Sequence, residues 1–304
     1  MDELLAGGHT VRVLDNFSTG HRHNLGAADG DVELIEGDLR SYERVHNAVR
    51  GCEVVFHQGA LPSVPRSVQD PITTNEVNVA GTMNVLLTAR DEGVRRVVFA
   101  SSSSIYGDAP GFPRTESQTP SPLAPYAVSK LAAEHYCRVF TTVYDLETVS
   151  LRYFNVFGRN QDPASMYSAV IPRFIAAMQE GRSPTIYGSG EQSRDFTHVD
   201  DVVTANLLAM DAPAAAGEVF NVACGKHHSL NQLVEVLNGL LDTEIEPVRA
   251  SARPGDVDRS WADIGLARRA LGYTPEVDFK QGLRRALSSY TPDTPTLRAE
   301  AISG

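Results

Sequence analysis

Tyr126 and Lys130 stand four residues apart in Tyr-Ala-Val-Ser-Lys, with the serine run Ser101-Ser102-Ser103-Ser104 upstream. On a helix, residues at that spacing project from one face, so the ammonium can sit beside the phenol. A free phenol titrates near pH ~10, so forming a phenolate at pH 7 costs roughly 4 kcal/mol. A neighbouring cation lowers that cost, and a serine hydroxyl can share a substrate proton. These are a base, its activator and a hydrogen-bonding partner, the parts needed to oxidise an alcohol by hydride transfer. Tyr-x-x-x-Lys alone is common on surface helices. Here the serine run closes a strand-like stretch and the pair opens a long helix, which gives the spacing weight.

The elements that must position these groups alternate along the chain. Short apolar runs at Thr10–Leu14, Val32–Ile35, Glu53–His57, Arg96–Ala100 and Glu147–Leu151 read as strands. Helical spacing marks Pro71–Gly93 and Ala127–Tyr144, with a Pro-rich loop at 110–125 between strand and helix. Strands alternating with helices predict an α/β fold, a doubly wound parallel sheet. Beyond Asn155 the pattern breaks into helices at 169–179, 199–210 and 230–241 and a strand at 184–187, a smaller α/β lobe. The expected organisation is a nucleotide-binding domain over 1–156 and a substrate lobe over 157–290, with sheet elements returning near 195–222. The polar Thr-Pro tail over 291–304 reads as disordered.

Four segments occur in order: Ser102–Gly107 (SSSIYG), Pro125–Lys130 (PYAVSK), Arg152–Val156 (RYFNV) and Arg194–Asp201 (RDFTHVDD). With them the chain resembles the extended short-chain dehydrogenase/reductase family, specifically its NAD-dependent nucleotide-sugar epimerases, from about Leu4 to Tyr290. The resemblance implies a Rossmann-like sheet and a catalytic set of Ser102, Tyr126 and Lys130. It implies that Tyr126 removes a proton from the sugar 4-OH while C4 gives hydride to NAD, which returns it to the other face. Ser103 and Ser104 stand where the family's dehydratases carry Asp-Glu and its decarboxylases a Glu. Two serines cannot do carboxylate work at neutral pH, which points to simple epimerisation.

The same resemblance assigns the cofactor contacts. Asp15, ending the second strand of the fold, takes the adenosine ribose, and Asn16, Ser18, Thr19 and Gly20 form the turn behind it. With Asn16 rather than Arg next to that carboxylate, NAD is favoured over NADP. Asp38 and Leu39 flank the adenine, Gln58, Gly59 and Ala60 let the cofactor approach backbone, and Asn78 stands behind the nicotinamide. Ala100, Ser101, Tyr153, Asn155 and Val156 complete the nicotinamide end together with Tyr126 and Lys130.

On the UDP-sugar side the implied contacts are Ser63, Val64 and Arg66 with Ser102, Ser103, Tyr126 and Asn155. Ala169, Val170, Thr185, Tyr187 and Gln192 line the nucleotide, Arg194 and Arg253 grip the pyrophosphate, and Asp256 takes the uridine ribose. Ser63–Ser67 resembles epimerases that accept N-acetylhexosamines, and the small Ser260 before Trp261 leaves room for an acetamido group. The sugar reading is therefore UDP-N-acetylglucosamine with UDP-glucose also accepted. The family further implies a homodimer paired through the long helices near Thr82 and Leu131.

One departure from the family stands at the start. Met1–Gly8 reads as the last turns of a helix, followed at once by the strand ending at Asp15. The glycine-rich phosphate turn belongs about 20 residues before that acidic residue, ahead of Met1. Gly188-Ser189-Gly190 lacks the strand–turn–helix context. The expectation is a truncated start, with the missing strand central to the sheet.

Composition excludes other classes. There are 38 acidic against 27 basic side chains, a formal charge of −11, and no basic stripe for a nucleic acid. Cys52, Cys137 and Cys224 are far apart without Cys-x-x-Cys spacing, as expected of structural thiols in a cytoplasmic protein. No apolar run approaches a membrane span. His227-His228 has no third ligand at usable spacing and reads as loop, so no metal is expected.

Overall fold

The computed structural model describes residues 1–30, 32–162, 169–252 and 259–290. Arg253, Asp256 and the tail over 291–304 lie outside the described residues. The chain opens with α1 (Asp2–Ala6), β1 (Val11–Asp15), β2 (Val32–Glu36), α2 (Tyr42–Val49) and β3 (Val54–His57). The helices α3 (Val64–Gln69), α4 (Pro71–Asn75) and α5 (Gly81–Asp91) follow, then β4 (Arg96–Ser102), α6 (Pro125–Tyr144) and β5 (Glu147–Tyr153). The second half holds β6 (Val156–Phe157), α7 (Val170–Gln179), β7 (Thr185–Tyr187), β8 (Ser193–Arg194), β9 (Thr197–His198), α8 (Val199–Asp211) and β10 (Val219–Val222). It closes with β11 (His228–Ser229), α9 (Leu230–Leu241), β12 (Val248–Ala250), β13 (Arg259–Ser260), α10 (Gly265–Leu271) and α11 (Phe279–Ser289).

A parallel sheet in the order β10-β5-β4-β3 carries the catalytic strand β4 near its centre. The run Val97, Val98, Phe99 on β4 is buried on both faces, which is why it is apolar without alternation. Val97 and Phe99 pack with Val85 and Leu86 of α5 and Ala133 and Phe140 of α6 on one face. Val98 packs with Val149, Leu151 and Phe220 against Val202 and Ala205 of α8 on the other. Helices thus cover both faces of a parallel sheet. β10 enters the sheet from the second half of the chain, so the two lobes interleave.

β1 and β2 pair parallel with each other as a separate two-stranded sheet. β3 is an edge of the four-stranded sheet, so β1 and β3 each keep an unpaired edge among the described residues. Their half-buried side chains reflect this, in contrast to the buried positions of β4. The single helix read over 71–93 is one rod with a π turn at Glu76–Ala80 joining α4 to α5. That extra residue per turn aims Asn78 inward. Thr82 is buried and hydrogen-bonded to His57.

A third apolar cluster, with Phe174, Ile175, Leu233, Leu237 and Leu283, builds the smaller lobe from α7, α9 and α11. Asp195 ties this lobe to the sheet. Its carboxylate is fully buried and accepts the backbone N–H groups of Cys224 (2.8 Å) and Gly225 (2.9 Å). Burial pushes this carboxyl from 3.8 up to about 7, with the N–H donors pulling the other way. A raised folded-state value means stability is full below the ordinary carboxylate range and is lost as pH rises through 7. Asp195→Asn is expected to flatten that pH dependence. It should also cost about 1–3 kcal/mol, because its NH₂ would face a backbone N–H; thermal melts between pH 4 and 8 check both.

Candidate active site

The serine, tyrosine and lysine are each fixed by backbone geometry. Ser102 ends β4, and its Oγ accepts the Ser104 N–H at 3.2 Å and the Ser104 hydroxyl at 2.9 Å. Tyr126 follows Pro125 at the start of α6, where a proline costs no helix hydrogen bond. Tyr126 is 9% exposed and hydrogen-bonds Ser102; burial pushes its phenol up and that bond draws it back. One turn on, Lys130 is 3% exposed, donates from Nζ to the Ala100 carbonyl at 2.7 Å and lies 4.9 Å from the Phe99 ring centre. Burial brings its ammonium down to about 8. Ser103 begins the 3₁₀ turn that follows Ser102.

Asn78 is wholly engaged. Its Oδ1 accepts the Leu61 N–H at 2.7 Å, and its amide donates to the Leu61 carbonyl and to Ser129 Oγ. It holds the loop through Gly59 and Ala60 against α6 rather than presenting a free amide. His57, expected only as strand, is buried against Thr82 and Phe99, with burial holding it neutral at about 3.

The carboxyl ends of β1, β2 and β3 bring together most of the residues assigned to the adenosine half. Asp15 Oδ1 accepts the Phe17 N–H at 2.7 Å, and Asn16 accepts from Ser18 and donates to Asp38 at 3.0 Å. Ser18 and Thr19 are exposed and Gly20 is half-buried beside them. Arg40 grips Asp38 through two side-chain nitrogens and holds its carboxyl at about 2. Leu39 lies on Gly59 and Gly81, where an added Cβ would meet it at 3.0 and 2.8 Å. Only glycines allow that approach. Gln58 meets Tyr153 and Asn206 in one hydrogen-bonded triad, with Tyr153 Oη at 3.1 and 3.0 Å from the two amide oxygens. Nothing in the sequence pattern marks Asn206, which joins this triad from α8.

Part of the sugar-nucleotide assignment, Asn155, Ala169, Val170, Thr185, Tyr187, Gln192 and Arg194, lines one cavity of about 300 Å³ together with Val156 from the cofactor assignment. Ser63, Val64, Arg66, Ser102, Ser103 and Tyr126 do not line it. Arg173 and Phe174 of α7 line it as well. They were missed, though an arginine on an otherwise apolar helix was a usable signal. Asn155 holds φ +35°, a strained conformation that asparagine tolerates better than most residues. Its amide donates to the Asp195 carbonyl at 3.1 Å. Ser260 pairs with Arg194 across β13 and β8. Ser63 caps α3 by accepting the Arg66 N–H, which places Val64 and Arg66 in that helix rather than in a loop. His228 starts β11 and stacks on Phe279, correcting its reading as loop.

A Ser102-Tyr126-Lys130 set, with the tyrosine and lysine buried, thus stands at the carboxyl end of a parallel sheet, with an arginine-lined cavity formed by residues of the second half of the chain. The sequence model of the NAD dependent epimerase/dehydratase family matches residues 1–223. The chain belongs to this family. A UDP-glucose 4-epimerase of Mycolicibacterium smegmatis is 36% identical over 298 residues, covering 95% of this chain and 93% of that protein. The crystal structure of UDP-glucose 4-epimerase from Thermotoga maritima with UDP-glucose superposes with TM-score 0.90 at 34% identity, covering 95% of this chain and 93% of that one. A UDP-N-acetylglucosamine 4-epimerase from Methanobrevibacter ruminantium, bound to UDP-N-acetylmuramic acid, gives TM-score 0.89 at 37% identity over 92% and 90% of the two chains.

The residues present fit the family's NAD at its two ends. The acidic turn at Asp15 suits the adenosine ribose, and Lys130 with Tyr126 suits the nicotinamide side. Among the described residues none supplies a glycine-rich turn between β1 and β3, where a pyrophosphate would lie.

Proposed function

We propose that this chain is a UDP-sugar 4-epimerase acting on a UDP-hexose or UDP-N-acetylhexosamine. The observation that carries this reading is the Ser102-Tyr126-Lys130 set, its tyrosine and lysine buried, with serines, not carboxylates, at 103 and 104. NAD held beside Lys130 and Tyr126 would supply the hydride acceptor and donor for C4 of the sugar. Tyr126 takes the 4-OH proton as the carbonyl forms and returns it afterwards. Ser102 bonds both that hydroxyl and the phenol. The Lys130 ammonium stabilises the phenolate and, by the family pattern, holds the nicotinamide ribose. Asn155, Tyr187, Gln192 and Arg194 hold the UDP moiety, with Arg253 and Asp256 assigned to its pyrophosphate and ribose. The small Ser260 beside Arg194 favours an N-acetylated sugar as well as glucose.

Purified protein incubated with UDP-glucose or UDP-N-acetylglucosamine should yield the C4-inverted sugar. A stable 4-keto-6-deoxy product would instead make it a dehydratase. Denaturing the protein should release NAD rather than NADP.

Two finer assignments accompany this reading. We place a homodimer contact on α6, whose Val128, Tyr136, Val139 and Val143 form an exposed apolar row at helical spacing. A cytoplasmic location fits three free cysteines and the finding that, among the described residues, no helix is long and apolar enough to cross a membrane.

A further inference from the structure

We propose that Glu134, paired with Arg152, is the positioning residue that keeps Lys130 charged and locks α6 in register with β4. Glu134 lies one helical turn beyond Lys130 and is 5% exposed. Its Oε1 accepts from Ser101 Oγ and from Arg152 Nε at 2.9 Å, and its Oε2 accepts from Arg152 Nη2 at 2.8 Å. Lys130 bonds the Ala100 carbonyl, so two residues of α6 grip two successive residues of β4. The next residue on the strand is Ser102. A slip of one position along β4 would carry the Ser102 hydroxyl away from Tyr126.

The pair also sets the charge of the site. Around Lys130 stand Glu134 and Cys137 on its own helix, His57 from β3, and Phe99 and the Ala100 carbonyl from β4, while Arg152 from β5 pairs with the same Glu134. Burial keeps His57 neutral and pushes the Cys137 thiol up to about 12. Glu134 is therefore the one carboxylate in this set. With Arg152 and Lys130 it leaves a net charge of +1, which a Tyr126 phenolate would cancel. Without Glu134 the buried Arg152 would lose its ion-pair partner and Lys130 its nearby carboxylate, and the lysine, unlike the arginine, can shed its proton. Arg152 continues the network outward through the Tyr106 hydroxyl at 2.9 Å to Asn221 at 2.7 Å.

This inference rests on the epimerase reading only for its consequence, and its test needs neither nucleotide nor turnover. The chain holds three lysines, Lys130, Lys226 and Lys280, and the last two are exposed. Carbon-13 labelling at lysine Cε therefore gives one buried signal and two internal references. In the wild type the Lys130 signal should titrate well below the other two. Glu134→Gln should lower its midpoint by a pH unit or more, a tenfold shift in its protonation equilibrium. Arg152→Gln, which leaves the carboxylate unopposed, should raise it by a similar amount. Opposite signs are what a merely structural pair would not produce. Should one variant fail to fold, the other alone decides by its sign. An unmoved Lys130 midpoint in a folded variant, or shifts in the same direction, would overturn the proposal.

Discussion

Tyr126→Phe is expected to fold as the wild type does, to take up the same nucleotide, and to lose epimerase turnover by ~10²–10⁴-fold. The phenolic oxygen is the group that meets the substrate proton, and its partner in the fold is the Ser102 hydroxyl. Removing it leaves Ser102 still bonded to Ser104, so little buried polarity is orphaned. The stability change should stay within about 1 kcal/mol. The loss should fall on kcat rather than KM, since binding rests on the separate cavity around Tyr187 and Arg194. Steady-state kinetics with UDP-glucose, together with a thermal melt, make the comparison. A folded Phe variant with wild-type kcat would remove Tyr126 from the base role and with it the epimerase mechanism.

The parts of this site that could be read in the sequence are those whose geometry is local. Tyr126 and Lys130 share a helix, and Ser102 ends the preceding strand, so spacing alone carries their relation. The boundaries of β4, α6 and α9 follow from apolar runs and caps a few residues away. What spacing could not carry is long-range. Glu134 sits at the i+4 position from Lys130, yet its acceptor role appears only when Ser101 and Arg152 arrive from two other strands. Asn206 joins Gln58 and Tyr153 from a helix of the second half. β10 and the small strands β8, β11 and β13 are too short for periodicity to mark. Asn78 adds a further long-range relation: its amide bonds Leu61 and Ser129, 17 and 51 residues away, which spacing along one helix cannot show.

Gly107→Ala is expected to be the most damaging glycine-to-alanine change among the described residues. Gly107 closes the turn Ser103–Tyr106 with φ +49° and ψ −123°, a conformation open essentially to glycine alone. An added Cβ would stand 1.8 Å from the Ser121 carbonyl oxygen, which belongs to backbone and has no flexible end to swing aside. The Ser121 N–H is itself bonded to the Ile105 carbonyl at 3.0 Å, and the Gly107 carbonyl accepts from Arg114 at 3.1 Å. The loop over the active site would have to detach from the turn that orients Ser102. Backbone strain costs about 1–3 kcal/mol, and displacement of the loop adds to it, for a total of at least ~3 kcal/mol. Gly93→Ala separates the two contributions. Gly93 has φ +68° but nothing within 4 Å of an added Cβ, so it should carry the strain alone. Denaturant melts and kcat for both variants provide the test. Gly107→Ala should lose both stability and turnover, and Gly93→Ala only a modest part of its stability. Equal losses in the two variants would mean that backbone strain, not the contact with Ser121, fixes the turn. The loop would then not be what holds Ser102 against Tyr126.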